Sequence, residues 1–184
     1  MVNKPDLGLV QVFYGNGKGK TTSALGTALR ACGNGYNVHL IQFMKNGALS
    51  LEQQVPGEIL SLQKFNNFSY KRFGLGSWFV KGKNEAEHKK NAGETLSYLK
   101  NVINEEKYDI IIADELLYAV QLGLIEENEI INLIKAKPKN KELILTGSHK
   151  PLEGIFALAD LVTEVRKIKH PYDRGILARK GIEF

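Results

Sequence analysis

Lys20 and Thr21 stand in the run Gly15-Asn16-Gly17-Lys18-Gly19-Lys20-Thr21-Thr22, whose residue types suit the binding of phosphate. Glycines remove side chains, so backbone N–H groups can close around phosphate oxygens. A helix starting at the end of such a turn adds unpaired donors and the positive end of its dipole. The Lys20 ammonium can then enter among the phosphates, and the Thr21 hydroxyl can hold Mg²⁺. The common loop of this kind reads G-x-x-x-x-G-K-S/T. Here three residues separate Gly15 from Gly19, and Tyr14 stands where the first glycine would be. The shortened loop leaves open which phosphates it holds and in which direction.

Asp114 and Glu115 form the second chemical signal. They end the apolar run Ile110-Ile111-Ile112-Ala113. A carboxylate at the end of a buried strand faces the phosphate site in phosphate-loop proteins and orders Mg²⁺ or its waters. An acidic pair after an apolar strand can also be the charged start of a helix. Beside a phosphate loop, metal coordination by Thr21, Asp114 and Glu115 is the favoured reading. No nucleophile–base pair is evident. His39 falls within a strand and reads as structural; His149 follows a strand end and His170 lies in the tail, and both can approach a ligand.

These residues need a scaffold that brings strand ends together. Leu9–Tyr14 reads as a buried strand, and Ser23–Cys32 as a helix stopped by Gly33-Asn34-Gly35. Val38–Phe43 reads as a second strand and Ile59–Phe65, after Pro56-Gly57, as a weaker third. Asn84 followed by Glu87 predicts a capped helix towards Asn104. Tyr108–Ala113, Glu142–Thr146 and Leu161–Val165 read as strands, with helices over Glu126–Ala136 and Pro151–Ala159. Such alternation predicts an α/β domain with a mostly parallel sheet covered by helices. Ligands of such sheets gather at the carboxyl ends of the strands.

Asn66–Lys83 has no clear period and reads as a long loop. It carries Phe68, Tyr70, Phe73, Trp78 and Phe79, interleaved with Lys71, Arg72, Lys81 and Lys83. Such a loop can stack on nucleic-acid bases, cover a large flat organic ligand, or pack on the sheet.

The 184 residues suit one domain spanning 1–184. A formal charge of +5 suits an anionic ligand such as a nucleotide and does not require nucleic acid. The single cysteine, Cys32, excludes an internal disulfide and reads as a small buried side chain. Met1–Leu7 is polar and contains Pro5, unlike a signal-peptide core, and no apolar run approaches a membrane span. The expected location is the cytoplasm.

The joint set of motifs resembles one family. Gly15–Thr22, Gln42-Phe43-Met44-Lys45, Asp114-Glu115 and Leu145-Thr146-Gly147 all match it. So do Ala159-Asp160-Leu161-Val162-Thr163-Glu164, Lys169-His170-Pro171-Tyr172 and Gly181-Ile182-Glu183-Phe184. Together they resemble the phosphate-loop type of ATP:corrinoid adenosyltransferase, acting on cob(I)alamin or cob(I)yrinic acid a,c-diamide. The resemblance implies a RecA-like fold that holds the triphosphate in reversed orientation. It implies attack of Co(I) on C5′ of ATP and release of triphosphate. Co(I) is already a strong nucleophile, which agrees with the lack of a nucleophile–base pair.

Site roles follow from that resemblance. ATP would be held by Gly15, Asn16, Gly17, Lys18, Gly19, Lys20, Thr21, Thr22 and Lys45, with Mg²⁺ at Thr21, Asp114 and Glu115. Catalysis would rest on Lys20, Thr21 and Glu115. Phe73, Trp78 and Phe79 would meet the corrinoid and displace an axial cobalt ligand. The resemblance also implies a homodimer and a reductant or reductase that supplies Co(I). Three features depart from the family. Ser148 stands where an arginine commonly follows Thr-Gly, few residues precede the first strand, and the aromatic loop matches loosely. The alternatives are a phosphate-loop ATPase or small-molecule kinase, which would release ADP, and a nucleotide-dependent binding module.

Overall fold

The computed structural model describes residues 7–45 and 55–183; residues 1–6 and Phe184, which belong to the N-terminal and C-terminal readings above, lie outside them. The first strand, β1 (Val10–Tyr14), leads through the glycine run into α1 (Lys20–Gly33), then β2 (Val38–Gln42), α2 (Gly57–Leu62) and β3 (Phe68–Arg72). The chain continues through α3 (Glu85–Val102), β4 (Ile110–Asp114), α4 (Leu116–Gln121), α5 (Glu127–Ala136), β5 (Glu142–Thr146), α6 (Glu153–Phe156) and β6 (Leu161–Glu164). The strands form one six-stranded sheet in the order β3-β2-β4-β5-β1-β6. Every pairing between them is parallel.

Strand side chains alternate between the two faces, so each central strand feeds two cores. In β4, Ile111 and Ala113 join Ile41, Leu143, Leu145 and the α3 residues Leu96 and Leu99 on one face. Ile110 and Ile112 join Val38, Leu40, Ile144 and the α1 residues Ala24, Leu25 and Ala28 on the other. Burial on both faces explains the uninterrupted apolar runs. Each fully buried Ile or Leu contributes roughly 1.5–3 kcal/mol relative to exposure. On α1, Ala24, Leu25, Ala28, Ala31 and Cys32 fall on one buried stripe, which aims the helix start at the sheet's carboxyl edge.

Two expectations are corrected. The segment read as a strand at Ile59–Phe65 is mostly helix α2, entered from Pro56. Its two buried residues, Ile59 and Leu62, are one helical turn apart, a spacing that a strand would place on opposite faces. The strand instead lies inside the stretch read as loop, where Phe68–Arg72 pairs along the whole of β2. Mixed polar and basic residues hid it because β3 is an edge strand, buried only at Phe68. Helix α4 was also not anticipated. Its residues Leu116, Leu117, Ala119 and Val120 are buried and continue the apolar run past the acidic pair.

Candidate active site

All the polar groups singled out at strand ends lie on the carboxyl edge of the sheet. The loop after β1 is pinned there by backbone contacts. Gly15 N–H donates to Ser148 O at 2.9 Å, and Gly17 N–H donates to Val165 O at 2.7 Å. A Cβ on Gly15 would meet Val165 O at 2.4 Å, and one on Gly17 would meet the Arg166 carbonyl carbon at 2.8 Å. These two glycines therefore serve close packing against the segment after β6, and their N–H groups are used within the protein. The donors left for an anion come from the end of the loop and the first turn of α1, where N–H groups have no partner within the helix. Asn16 is a strut: its Oδ1 accepts from Lys167 N–H at 2.9 Å.

Lys20 Nζ folds back onto Gly15 O at 2.7 Å and Gly17 O at 3.1 Å. Burial pushes its ammonium below the usual lysine range, and nearby Lys45 adds to this, while Glu115 and Asp114 oppose it. Thr21 Oγ1 donates to Asp114 Oδ1 at 2.8 Å, joining residues 93 apart in the chain. The fully buried Asp114 also accepts from Thr146 Oγ1 at 2.6 Å on the same oxygen and from Gln42 Nε2 at 2.9 Å on the other. Glu115 lies in the left-handed region, φ 62°, with its N–H donating to Thr146 Oγ1 at 3.0 Å. Its carboxylate pairs with Lys45 at 3.4 Å. Lys45 N–H in turn donates to Phe73 O at 2.8 Å, which ties the end of β2 to the end of β3.

Among the described residues, three that are not glycine have positive φ: Met44 at 54°, Glu115 at 62° and Ser148 at 55°. They follow β2, β4 and β5 at the same edge. Each such conformation costs on the order of 1–3 kcal/mol and persists only where surrounding contacts enforce it. Ser148 is buried, and its neutral hydroxyl brings no charge to the edge where the family commonly has arginine. Lys150, two residues on, is exposed.

The predicted residues divide into those brought together and those kept apart. Lys20, Thr21, Lys45, Asp114 and Glu115 converge. Thr22 is exposed in the first turn of α1. Lys18 turns to the C-terminal segment, with Nζ 3.2 Å from Ile182 O and 3.9 Å from Glu183. Among the aromatics, Trp78 is 68 % exposed. Phe73 and Phe79 instead pack against the core, Phe73 on Tyr98 and Phe79 edge-on to His88. His39 is structural, held between Ser69 Oγ at 2.7 Å and Tyr98 Oη at 3.1 Å. His149 packs on Tyr118, and His170 caps its own short turn by accepting from Tyr172 N–H. Thr146 and Gln42 were not singled out as site residues. Their signal was the one that picked out Asp114, a polar residue closing a buried apolar strand.

No group of three or more His, Cys, Asp or Glu side chains forms a ready metal cage among the described residues. A hydroxyl and two carboxylates beside a phosphate loop fit Mg²⁺, which keeps waters and phosphate oxygens as most of its ligands.

Residues 6–184 match the family model for the ATP:corrinoid adenosyltransferases BtuR/CobO/CobP. The chain belongs to the ATP:corrinoid adenosyltransferase family. It is 32 % identical to corrinoid adenosyltransferase CobA of Salmonella typhimurium over 96 % of this chain and 86 % of that one. It is 31 % identical to the corrinoid adenosyltransferase of Escherichia coli, with the same coverage. In fold it resembles the RadB recombinase, with a TM-score of 0.50 at 15 % identity over 90 % of this chain and 77 % of that one. That likeness is one of fold, a parallel sheet covered by helices. Among the described residues, no helix is long and apolar enough to cross a membrane.

Proposed function

We propose that this family member transfers the 5′-deoxyadenosyl group of ATP to Co(I) of a corrinoid and releases triphosphate. The observation that carries the reading is the Thr21–Asp114 hydrogen bond, which locks the phosphate loop to the acidic strand end in a chain of this family. Cobalt supplies the electron pair of the new Co–C bond. The C5′–O bond breaks, and its pair leaves on the triphosphate.

The protein's part is to orient C5′ against cobalt and to stabilise charge on the leaving triphosphate. Lys20 releases the Gly15 and Gly17 carbonyls and turns to the phosphates. The α1 N-terminus supplies backbone donors, and Lys45 adds a second ammonium beside Glu115. Lys18 joins them once it leaves Glu183. Thr21 and Glu115 would hold Mg²⁺, which supplies further positive charge at the triphosphate, and Asp114 would act through the Thr21 hydroxyl.

Trp78 is the aromatic best exposed to meet a corrinoid, with Phe73 and Phe79 anchoring its loop. The reading includes one domain over residues 1–184, a homodimer, a reductant or reductase that supplies Co(I), and a cytoplasmic location, where ATP is available.

An anaerobic assay with Mg-ATP and chemically reduced cob(I)alamin tests it. The expected result is a light-sensitive alkylcobalamin spectrum with one triphosphate released per Co–C bond. Release of ADP or phosphate without cobalt alkylation would point to an ATPase or kinase instead.

A further inference from the structure

Gln42 ends β2 opposite Asp114, its register partner in β4, and is 97 % buried, with 3 % exposure. Its amide works on one side only. Nε2 donates to Asp114 Oδ2 at 2.9 Å, but Oε1 is buried with no hydrogen-bond partner. The amide orientation is fixed by chemistry, because an ionised carboxylate only accepts and the NH₂ must face it. A buried acceptor left unmet is destabilising, and such groups in folded proteins call for a donor.

The surroundings restrict that donor. Asp114 already accepts from Thr21, Thr146 and Gln42, and serves all three as an acceptor. Thr21 and Thr146 both direct their hydroxyl hydrogens to Asp114 Oδ1. The backbone N–H that follows at Phe43 donates to Asp114 O. The unmet acceptor thus sits beside the carboxylate that orients Thr21, the hydroxyl assigned above to Mg²⁺. A water polarised by a divalent cation is the kind of strong donor that this acceptor lacks.

We infer that Gln42 is a positioning residue for the nucleotide-bound cation, holding Asp114 through Nε2 and accepting from a cation-bound water at Oε1. This rests on the Mg²⁺-ATP reading of the site. Neighbours of metal ligands that orient them commonly change metal affinity by about 10–100-fold when replaced.

The test measures ATP affinity by equilibrium titration, with Mg²⁺ and with EDTA, for the wild type, Gln42→Met and Gln42→Glu. Methionine keeps the length and removes both amide functions. Glutamate keeps an acceptor but sets a second carboxylate against Asp114. The expected result for Gln42→Met is a fall of about tenfold or more in the gain that Mg²⁺ gives to ATP binding. Its EDTA affinity should stay within about twofold of wild type. An equal loss with and without Mg²⁺ would show a merely structural role and overturn the inference. So would an unchanged Mg²⁺ gain. Should Gln42→Met fail to fold, Gln42→Leu, which also lacks both amide functions, is judged by the same two criteria. A wild type whose ATP affinity ignores Mg²⁺ would instead strike at the Mg²⁺-ATP reading itself.

Discussion

Glu142 begins β5 and Asp114 ends β4, and both are buried carboxylates, yet the two edges of the sheet treat them differently. At the amino edge Glu142, Lys137 and Asp160 are spent locally. Glu142 accepts from the N–H groups of Gly8 and Leu9 and from Gln11 Nε2. Lys137 gives its hydrogens to the carbonyls of Gly8, Pro138 and Lys141. Asp160 accepts from Val10 N–H at 2.7 Å. At the carboxyl edge capacity is left over. Lys20 rests on two carbonyls that bind it only as a neutral acceptor would, and Gln42 Oε1 has no donor. Three non-glycine residues there hold left-handed backbone. Buried charge by itself therefore does not mark a site. What marks it is buried polar capacity that the protein leaves unfilled, together with strain it maintains.

Lys20→Ala gives the sharpest separation of the two edges. Adenosylation should fall by about a thousandfold, as expected for loss of a main donor to developing charge. The melting temperature should fall only by what two part-buried hydrogen bonds to the Gly15 and Gly17 carbonyls contribute, a small effect beside the loss of activity. Full activity in that variant would remove the phosphate-site assignment.

Glu142→Ala should do the opposite. It strands the N–H groups of Gly8 and Leu9 and removes a carboxylate whose charge favours the Lys137 ammonium, at a cost of about 1–3 kcal/mol of stability for each stranded group. ATP affinity of the folded fraction should be unchanged; a large change in affinity would break the comparison between the edges.

His39, in the body of the sheet, offers a pH test. Burial, aided by Lys107 and Lys71, lowers its pKa from 6.5 to about 4. The unfolded chain therefore binds a proton between those values that the folded chain refuses. Stability should be full above pH 6.5 and fall as pH drops towards 4, by up to about 3 kcal/mol. Denaturant titrations of His39→Gln should show a shallower slope over that window. An unchanged slope would assign the acid sensitivity to other groups.

The smallest effect expected is at Trp78. Trp78→Ala should slow adenosylation about tenfold from Co(II) with a reductant, and less from chemically prepared Co(I). Equal losses from both would place Trp78 outside the axial-ligand step.

The phosphate loop was legible because a glycine-rich turn between an apolar strand and a helix is a local arrangement. Asp114 was legible because an apolar run ending in acid is local too. β3 was missed for a physical reason: Tyr70 and Lys71 lie on an edge strand, where polar side chains cost little and alternation fades. Thr146 and Gln42 were visible as polar strand ends, but their value depends on facing Asp114 from β5 and β2. Those partners are 32 and 72 residues away in sequence.

By itself, the sequence determined the parallel α/β class, the loop and acid strand end, and, through its joint motifs, the family. Those features depend on residue type and short spacing. Only the tertiary structure decided that Gly15 and Gly17 serve packing against the segment after β6, that Phe73 and Phe79 are half-buried supports, and that Asp114 accepts from Thr21, Thr146 and Gln42 at once. Each of these depends on which strand ends lie side by side, and strand order is set by packing over the whole sheet rather than by any local stretch of chain.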